Sequence, residues 1–246
     1  MPDHYFGMLS LGREFLRYSV GLAGVCSFLF IFIAVIDGFR FKTYGLTPLA
    51  LVTFLAQWLV SVAGPFTRYM YLWMHDWMSN AIQFGAPSLF GIVIFAQYLR
   101  YGPQQHPLAP GIVDRYHVLA WLGLIVSAVG CWTFIVYHQD FFVNEVQPTQ
   151  NLIASASLLG AVFLREDVRG LSVIGAWFYF AGNLILYGGM YAGQMSDPYP
   201  VAQFGYYYLY WMWSLMLVLN VAYAVLLQRR KRDGSIRRIS IARGGS

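Results

Sequence analysis

The chain has 246 residues, 58% of them hydrophobic and only 11% charged. Soluble domains carry about a quarter charged residues, so a soluble globular domain is excluded. The formal charge of +5 gathers beyond residue 228, where it bears on membrane orientation, and no nucleic-acid partner is expected.

Apolar runs near the length of a bilayer crossing recur along the chain. Seven are read, near 15–36, 46–65, 69–99, 116–138, 148–164, 172–192 and 205–227. The expected fold is an all-α integral membrane bundle of seven transmembrane helices, with the N-terminus outside and the C-terminus cytoplasmic. Residues 1–228 form its single domain, and 229–246 form a basic cytoplasmic tail. No charged n-region followed by a cleavage site is present, so no signal peptide is read. Cys26 and Cys131 fall inside apolar runs and read as buried thiols.

The breakers lie between the runs, in "TYGLTP", "YGPQQHPLAPG" and "SDPYP". The third run is long enough to be tilted, bent at Pro87, or protruding. The basic residues set the direction. With the tail inside, the inner segments hold Arg40, Lys42, Arg100, Arg115, Arg165, Arg169 and the seven basic residues of the tail. Only Arg13, Arg17 and Arg68 fall outside. Cytoplasmic loops carry the Lys/Arg excess, which is the pattern seen here.

The third run carries an acid. Asp76, Asn80, Gln83 and Pro87 are spaced i, i+4, i+7 and i+11, which aligns them on one helical face, and Trp73 extends it. An ionised Asp facing lipid costs roughly 3 kcal/mol or more, so the stripe turns inward, to a cavity or to polar partners on a neighbouring helix. Counted from the outer end, Asp76 lies roughly 12 Å deep. A carboxyl there is a candidate general acid. His75 points elsewhere and reads as an interfacial or packing histidine.

Other helices add polar faces. Gln57 and Trp58 form a pair in "LVTFLAQWLVSV". Asn151 shares a face with Ser155. Trp213, Met216, Asn220 and Tyr223 follow i, i+3, i+7 and i+10 in the seventh run. A single buried amide usually serves as interhelical glue, worth about 0.6 kcal/mol. Four helices with inward polar faces point instead to a polar and aromatic cavity. Aromatic residues make up 18% of the chain. Some belong to an interfacial belt, as in "YYYLYWMW". Others are mid-helix, among them Trp58, Trp132, Trp177, Phe178 and Phe180. Aromatic faces stabilise cations without offering a nucleophilic lone pair, which suits carbocation chemistry in a site closed to water. Helix 7 has no lysine for a Schiff base. No histidine pair suits a haem or metal, no DDxxD-like cluster suits magnesium diphosphate, and no Gly-rich phosphate loop is present. No cofactor and no metal are therefore expected.

The stretch "QNLIASASLLGAVFLREDVRGLSVIGAWFYFAGN", residues 150–183, resembles the small transmembrane terpene cyclases of meroterpenoid and indole-diterpene biosynthesis, the pyripyropene-cyclase type. Gln150-Asn151, Ser155, Arg165, the "RGLS" turn at 169–172 and Gly182 carry the likeness. "PLALVTFLAQW" and "WSLMLVLNVAY" look like the family's helices 2 and 7. The resemblance implies cyclisation of a farnesyl or geranylgeranyl chain on an aromatic or indole head. A terminal epoxide or alkene is protonated, with no diphosphate loss and no metal. It also implies a bacterial inner membrane or a fungal endoplasmic reticulum as the location. The family carries a glutamate beside a tryptophan in helix 2 and an aspartate before a tyrosine in helix 7. Here those places hold Gln57 and Asn220, and an amide is no proton donor. Three readings stay open: Asp76 has taken over, an Asp→Asn change has inactivated the chain, or the chemistry differs from the family's. The expected catalytic group is Asp76 with Asn220 and Gln57 as orienters. Trp58, Trp73, Asn80, Asn151, Trp177, Trp213 and Tyr223 are expected to line the substrate site. The alternative class is a small seven-helix transporter or receptor with a central polar site. The Pro-Gln pair of "YGPQQ" points that way, but it sits in a loop, and no internal three-helix repeat is visible.

Overall fold

The computed structural model describes residues 10–63, 85–104, 115–138, 146–165, 168–195 and 206–243, and the regular structure among them is all helical. Seven α-helices lie among the described residues: α1 Ser10–Phe41, α2 Pro48–Ala63, α3 Ala86–Tyr101, α4 Tyr116–His138, α5 Val146–Leu164, α6 Val173–Met195 and α7 Tyr206–Arg243. A short 3-10 turn, Gly102–Gln104, follows α3. Among the described residues, three stretches are long and apolar enough to cross a membrane: Gly21–Phe41, Tyr116–Phe134 and Tyr210–Asp233. Pro48–Val62, Pro148–Leu164 and Val173–Gly189 are apolar but shorter. On α4, Val118, Trp121, Leu122, Ile125, Val126 and Val129 are each half or more exposed. An apolar surface that continuous is foreign to a monomer in water.

The ends of two helices differ from the sequence reading, and of the third run, 69–99, residues 69–84 lie outside the described residues while α3 covers Ala86–Tyr101. The first helix runs over Ser10–Phe41 rather than 15–36, and α7 continues through the basic tail to Arg243 rather than ending near 227. Arg and Lys are good helix formers, so the charge that ends the apolar run does not end the helix. The α1 terminus has an identifiable stop. Lys42 takes a left-handed conformation, with φ 49°. The Thr43 amide then reaches back to the Gly38 carbonyl at 3.0 Å, which is the six-to-one bond of a Schellman turn. Thr47 opens α2, with Pro48 at the first helical position and the Ala50 amide donating to Thr47 Oγ1 at 3.3 Å. Ser172 opens α6 in the same way, its Oγ accepting from the Gly175 amide at 3.1 Å.

The longest interface lies between α1 and α6. On α6, Gly175, Gly182 and Gly189 recur every seven residues and face α1. A methyl group at Gly182 would sit 3.1 Å from Cys26 Cβ and 3.3 Å from the Ala23 carbonyl. Small residues at this period let two membrane helices approach closely. Helix α7 packs on α5 and α6, α5 also packs on α2, α2 on α3 and α4, and α3 on α1. Six helices thus close a ring in the order α1–α3–α2–α5–α7–α6, with α4 outside against α2. Aromatic side chains fill the ring. Tyr179 of α6 stacks on Phe30 of α1 at 4.8 Å and meets Phe54 of α2 edge-on at 6.2 Å. Tyr223 and Leu227 of α7 join the same core.

Contacts at one end show that the helices alternate in direction. The Arg165 guanidinium, just past α5, lies 4.3 Å from the Tyr44 ring in the α1–α2 turn. It also donates to the Tyr44 and Leu46 carbonyls, each at 3.4 Å. Tyr44 meets Tyr98 of α3 edge-on at 5.0 Å, and the Tyr116 hydroxyl at the start of α4 donates to the Tyr98 carbonyl at 3.3 Å. Arg230 of α7 donates to the carbonyls of Val162 and Arg165. Thr47 and Ser157 exchange a hydrogen bond of 2.7 Å. Helices α1, α3 and α5 finish at this end, α2, α4 and α6 begin there, and α7 passes it at Arg230 before running on to Arg243. Burial pushes the Tyr44 phenol up from its ordinary value, and the Arg165 guanidinium works against that rise.

The α1–α2 turn fits because residue 45 has no side chain. A Cβ on Gly45 would lie 2.6 Å from Ala34 Cβ and 2.7 Å from both Cα and O of Ala34. The obstacle is partly helix backbone, which cannot swing aside. Gly45→Ala is expected to destabilise the bundle by roughly 1–3 kcal/mol, toward the upper end of the overpacking range. Denaturant or thermal unfolding in micelles measures this, and unchanged stability would mean the turn does not pack on α1.

Candidate functional site

Helix α7 buries one face. Trp213, Met216, Asn220 and Tyr223 are 4%, 0%, 0% and 1% exposed. The amide of Asn220 is the unusual member. Neither its Nδ2 nor its Oδ1 has a hydrogen-bond partner among the described residues. An unpaired buried polar group costs about 1–3 kcal/mol, and buried polar groups are nearly always bonded. Two turns toward the start of α7, roughly 10 Å along the axis, the Trp213 indole Nε1 is unpartnered as well. Asn220 sits between two apolar layers. Above it, Met216 joins Tyr187, Met212 and Trp213. Below it, Tyr223 belongs to the main core.

The Trp213 ring is clamped. Tyr187 of α6 stacks on it at 5.0 Å, and Tyr210 meets it edge-on at 5.6 Å. The Tyr187 hydroxyl accepts from Asn151 Nδ2 at 2.8 Å. Asn151 and Trp213, expected in one site, are therefore joined through Tyr187, which the sequence reading did not single out. A second column runs beside it. The Ser155 hydroxyl donates to the Asn151 carbonyl at 2.6 Å and lies 3.4 Å from the Tyr179 hydroxyl. The Tyr179 hydroxyl donates to the same carbonyl at 3.3 Å, and Asn183 Nδ2 donates to the Tyr179 carbonyl at 3.0 Å. The only sequence signal for these residues is the i, i+4, i+8 spacing of Tyr179, Asn183 and Tyr187.

Gln57 of α2 is 3% exposed. Its neighbour Trp58 is half-buried and stacks on Phe54 at 5.6 Å, and it also underlies Gly91 of α3. Trp177 is 38% exposed and meets Phe180 edge-on at 5.9 Å. It is the one described aromatic of the expected lining that sits at the bundle surface. Asp76, Trp73 and Asn80, together with His75 and Gln83, lie outside the described residues. The described part of the site thus offers amides, phenols and an indole. Such groups accept and donate hydrogen bonds and stabilise a cation through their π-faces. None of them is an acid strong enough to protonate an alkene or epoxide. No family model, curated protein or solved structure matches the chain.

Proposed function

We propose that this is an integral membrane protein crossing the bilayer seven times, with its basic end cytoplasmic and its N-terminus outside, and that it is a terpene cyclase acting on a prenyl chain attached to an aromatic or indole head. The gathering of Arg165, Arg230 and the α1–α2 turn at one end agrees with the basic-residue count that sets the orientation. The observation that carries the catalytic reading is Asn220, an amide wholly buried and unpartnered in α7. It stands on one face with Trp213 and Tyr223, at the place where the cyclases this chain resembles hold an aspartate. An unsatisfied amide of that kind is a cost to folding, and a substrate or acid oriented by it repays that cost.

In this reading Asp76 gives its proton to the terminal epoxide oxygen or alkene carbon. A carbon–oxygen bond opens, or a tertiary cation forms. An internal double bond attacks, a carbon–carbon bond closes the ring, and the final cation loses a proton, whose return to the Asp76 carboxylate restores the acid. The product is an isomer of the substrate. Trp213 and Tyr223 stabilise positive charge along the way. The test is reconstitution in nanodiscs with farnesyl- and geranylgeranyl-substituted phenols and indoles, each with and without the terminal epoxide. The expected product has unchanged mass and a new carbocycle: an alkene substrate loses one double bond, whereas in an epoxide substrate the first carbocycle replaces the oxirane, a hydroxyl appears and the number of double bonds is unchanged. No turnover of any of these substrates, with solute uptake by proteoliposomes, would overturn the reading in favour of a transporter.

A further inference from the structure

A crevice of about 140 Å³ lies between α4 and α5, lined by Gly130, Cys131, Phe134, Thr149 and Gln150. We infer that it is a binding site for a benzene-sized ring bearing a hydrogen-bond donor, a phenol or an indole N–H. Three observations carry this. The first is size: an apolar protein cavity of about 150 Å³ takes up benzene, so the volume suits one aromatic ring. The second is an unsatisfied acceptor. Gln150 is 8% exposed, and its Oε1 has no hydrogen-bond partner among the described residues. An acceptor with nothing donating to it selects a ligand that brings an O–H or N–H, because a ring without one leaves the same oxygen unpaired. The third is the wall. Phe134 and the buried Cys131 offer apolar, polarizable surface to a ring face.

Gly130 keeps the crevice open. A Cβ built there meets no atom within 4 Å, so a side chain can be added without disturbing the protein. If the cyclase reading holds, the crevice is where the aromatic head of the substrate docks while its prenyl chain lies along the bundle. The ring site itself does not depend on that reading, because it is read by binding and not by turnover.

The experiment uses the full chain in nanodiscs and two photoreactive probes, a phenol carrying a trifluoromethyl diazirine and its O-methyl ether. Labelled peptides are located by mass spectrometry. The phenol is expected to label the segments around Gly130–Phe134 and Thr149–Gln150 at least tenfold more than the ether. Gly130→Trp fills the crevice and abolishes this labelling. Gly130→Ala leaves it intact and controls for the loss of glycine. Gln150→Leu brings the phenol down to the level of the ether. Equal labelling by both probes, or phenol labelling that survives Gly130→Trp, overturns the site and leaves an apolar cleft for lipid. Loss of phenol labelling in a Gly130→Trp chain that still cyclises substrate at the original rate would remove the docking role and spare the cyclase. Phenol labelling without turnover of any prenylated substrate does the reverse.

Discussion

Asp76→Asn lowers product formation by about 10²–10⁴-fold, the range a positioned general acid contributes, and leaves the bundle folded. The expectation follows from what the rest of the site lacks. Among the described residues, the polar groups expected to serve the reaction are Gln57, Asn151 and Asn220, and an amide holds no proton that an alkene or epoxide can take. The sequence spaces Asp76, Asn80 and Gln83 as one helical face would, and such a face is expected to turn away from lipid. The substitution keeps shape and hydrogen-bonding capacity while removing the proton. Product measured against the unaltered chain, with circular dichroism and melting as controls for folding, decides the matter. Substantial turnover by the variant removes Asp76 from the role.

Asn220 separates stability from activity. Asn220→Leu removes two buried, unpartnered polar atoms and keeps nearly the same volume, so the bundle is expected to gain about 1–3 kcal/mol. A residue kept only for packing would be improved by that change at no loss. A residue kept for function loses activity as the protein becomes more stable, which is the trade-off expected of a functional site. Asn220→Asp gives the opposite sign in activity. It places a carboxyl in α7 between Trp213 and Tyr223, where the resembled cyclases carry theirs, and product formation rises. Asn220→Ala brings no such rise. Equal product from the Asp, Ala and unaltered chains would remove residue 220 from catalysis, and unchanged stability on Asn220→Leu would show that its amide has a partner.

The helices were legible because their signal is composition over a long window. The run at 116–138 coincides with α4 (Tyr116–His138), and the inward face of α7 follows from the 3.6-residue period that sets Trp213, Met216, Asn220 and Tyr223 in line. The ends of α1 and α7 were not legible. Hydrophobicity marks where a chain meets lipid, whereas a helix ends where backbone geometry stops it, as at Lys42. The identity of polar partners was also hidden. Asn151 was visible as an amide in an apolar run, but nothing in its neighbourhood says that Tyr187, 36 residues on, receives its hydrogen bond. Arg165 was read as a positive charge near a membrane and as part of a family likeness, and its place over the Tyr44 ring comes from the pairing of turns that are distant in the chain.

The bond between Arg230 and the end of α5 has a consequence for how the molecule is made. The last carbonyls of α5 have no partner within their own helix, and one of them, Val162, receives its donor from a residue 68 positions later. On a ribosome, α5 and α6 exist before that donor does. Until residue 230 has emerged, the carbonyls of Val162 and Arg165 must be satisfied by water, and the turn that leads into α6 cannot lock against the α1–α2 turn through this route. The basic end is accordingly the last part of the bundle to exclude solvent during synthesis, and the start of the charged segment of α7 belongs to the fold rather than to a trailing tail.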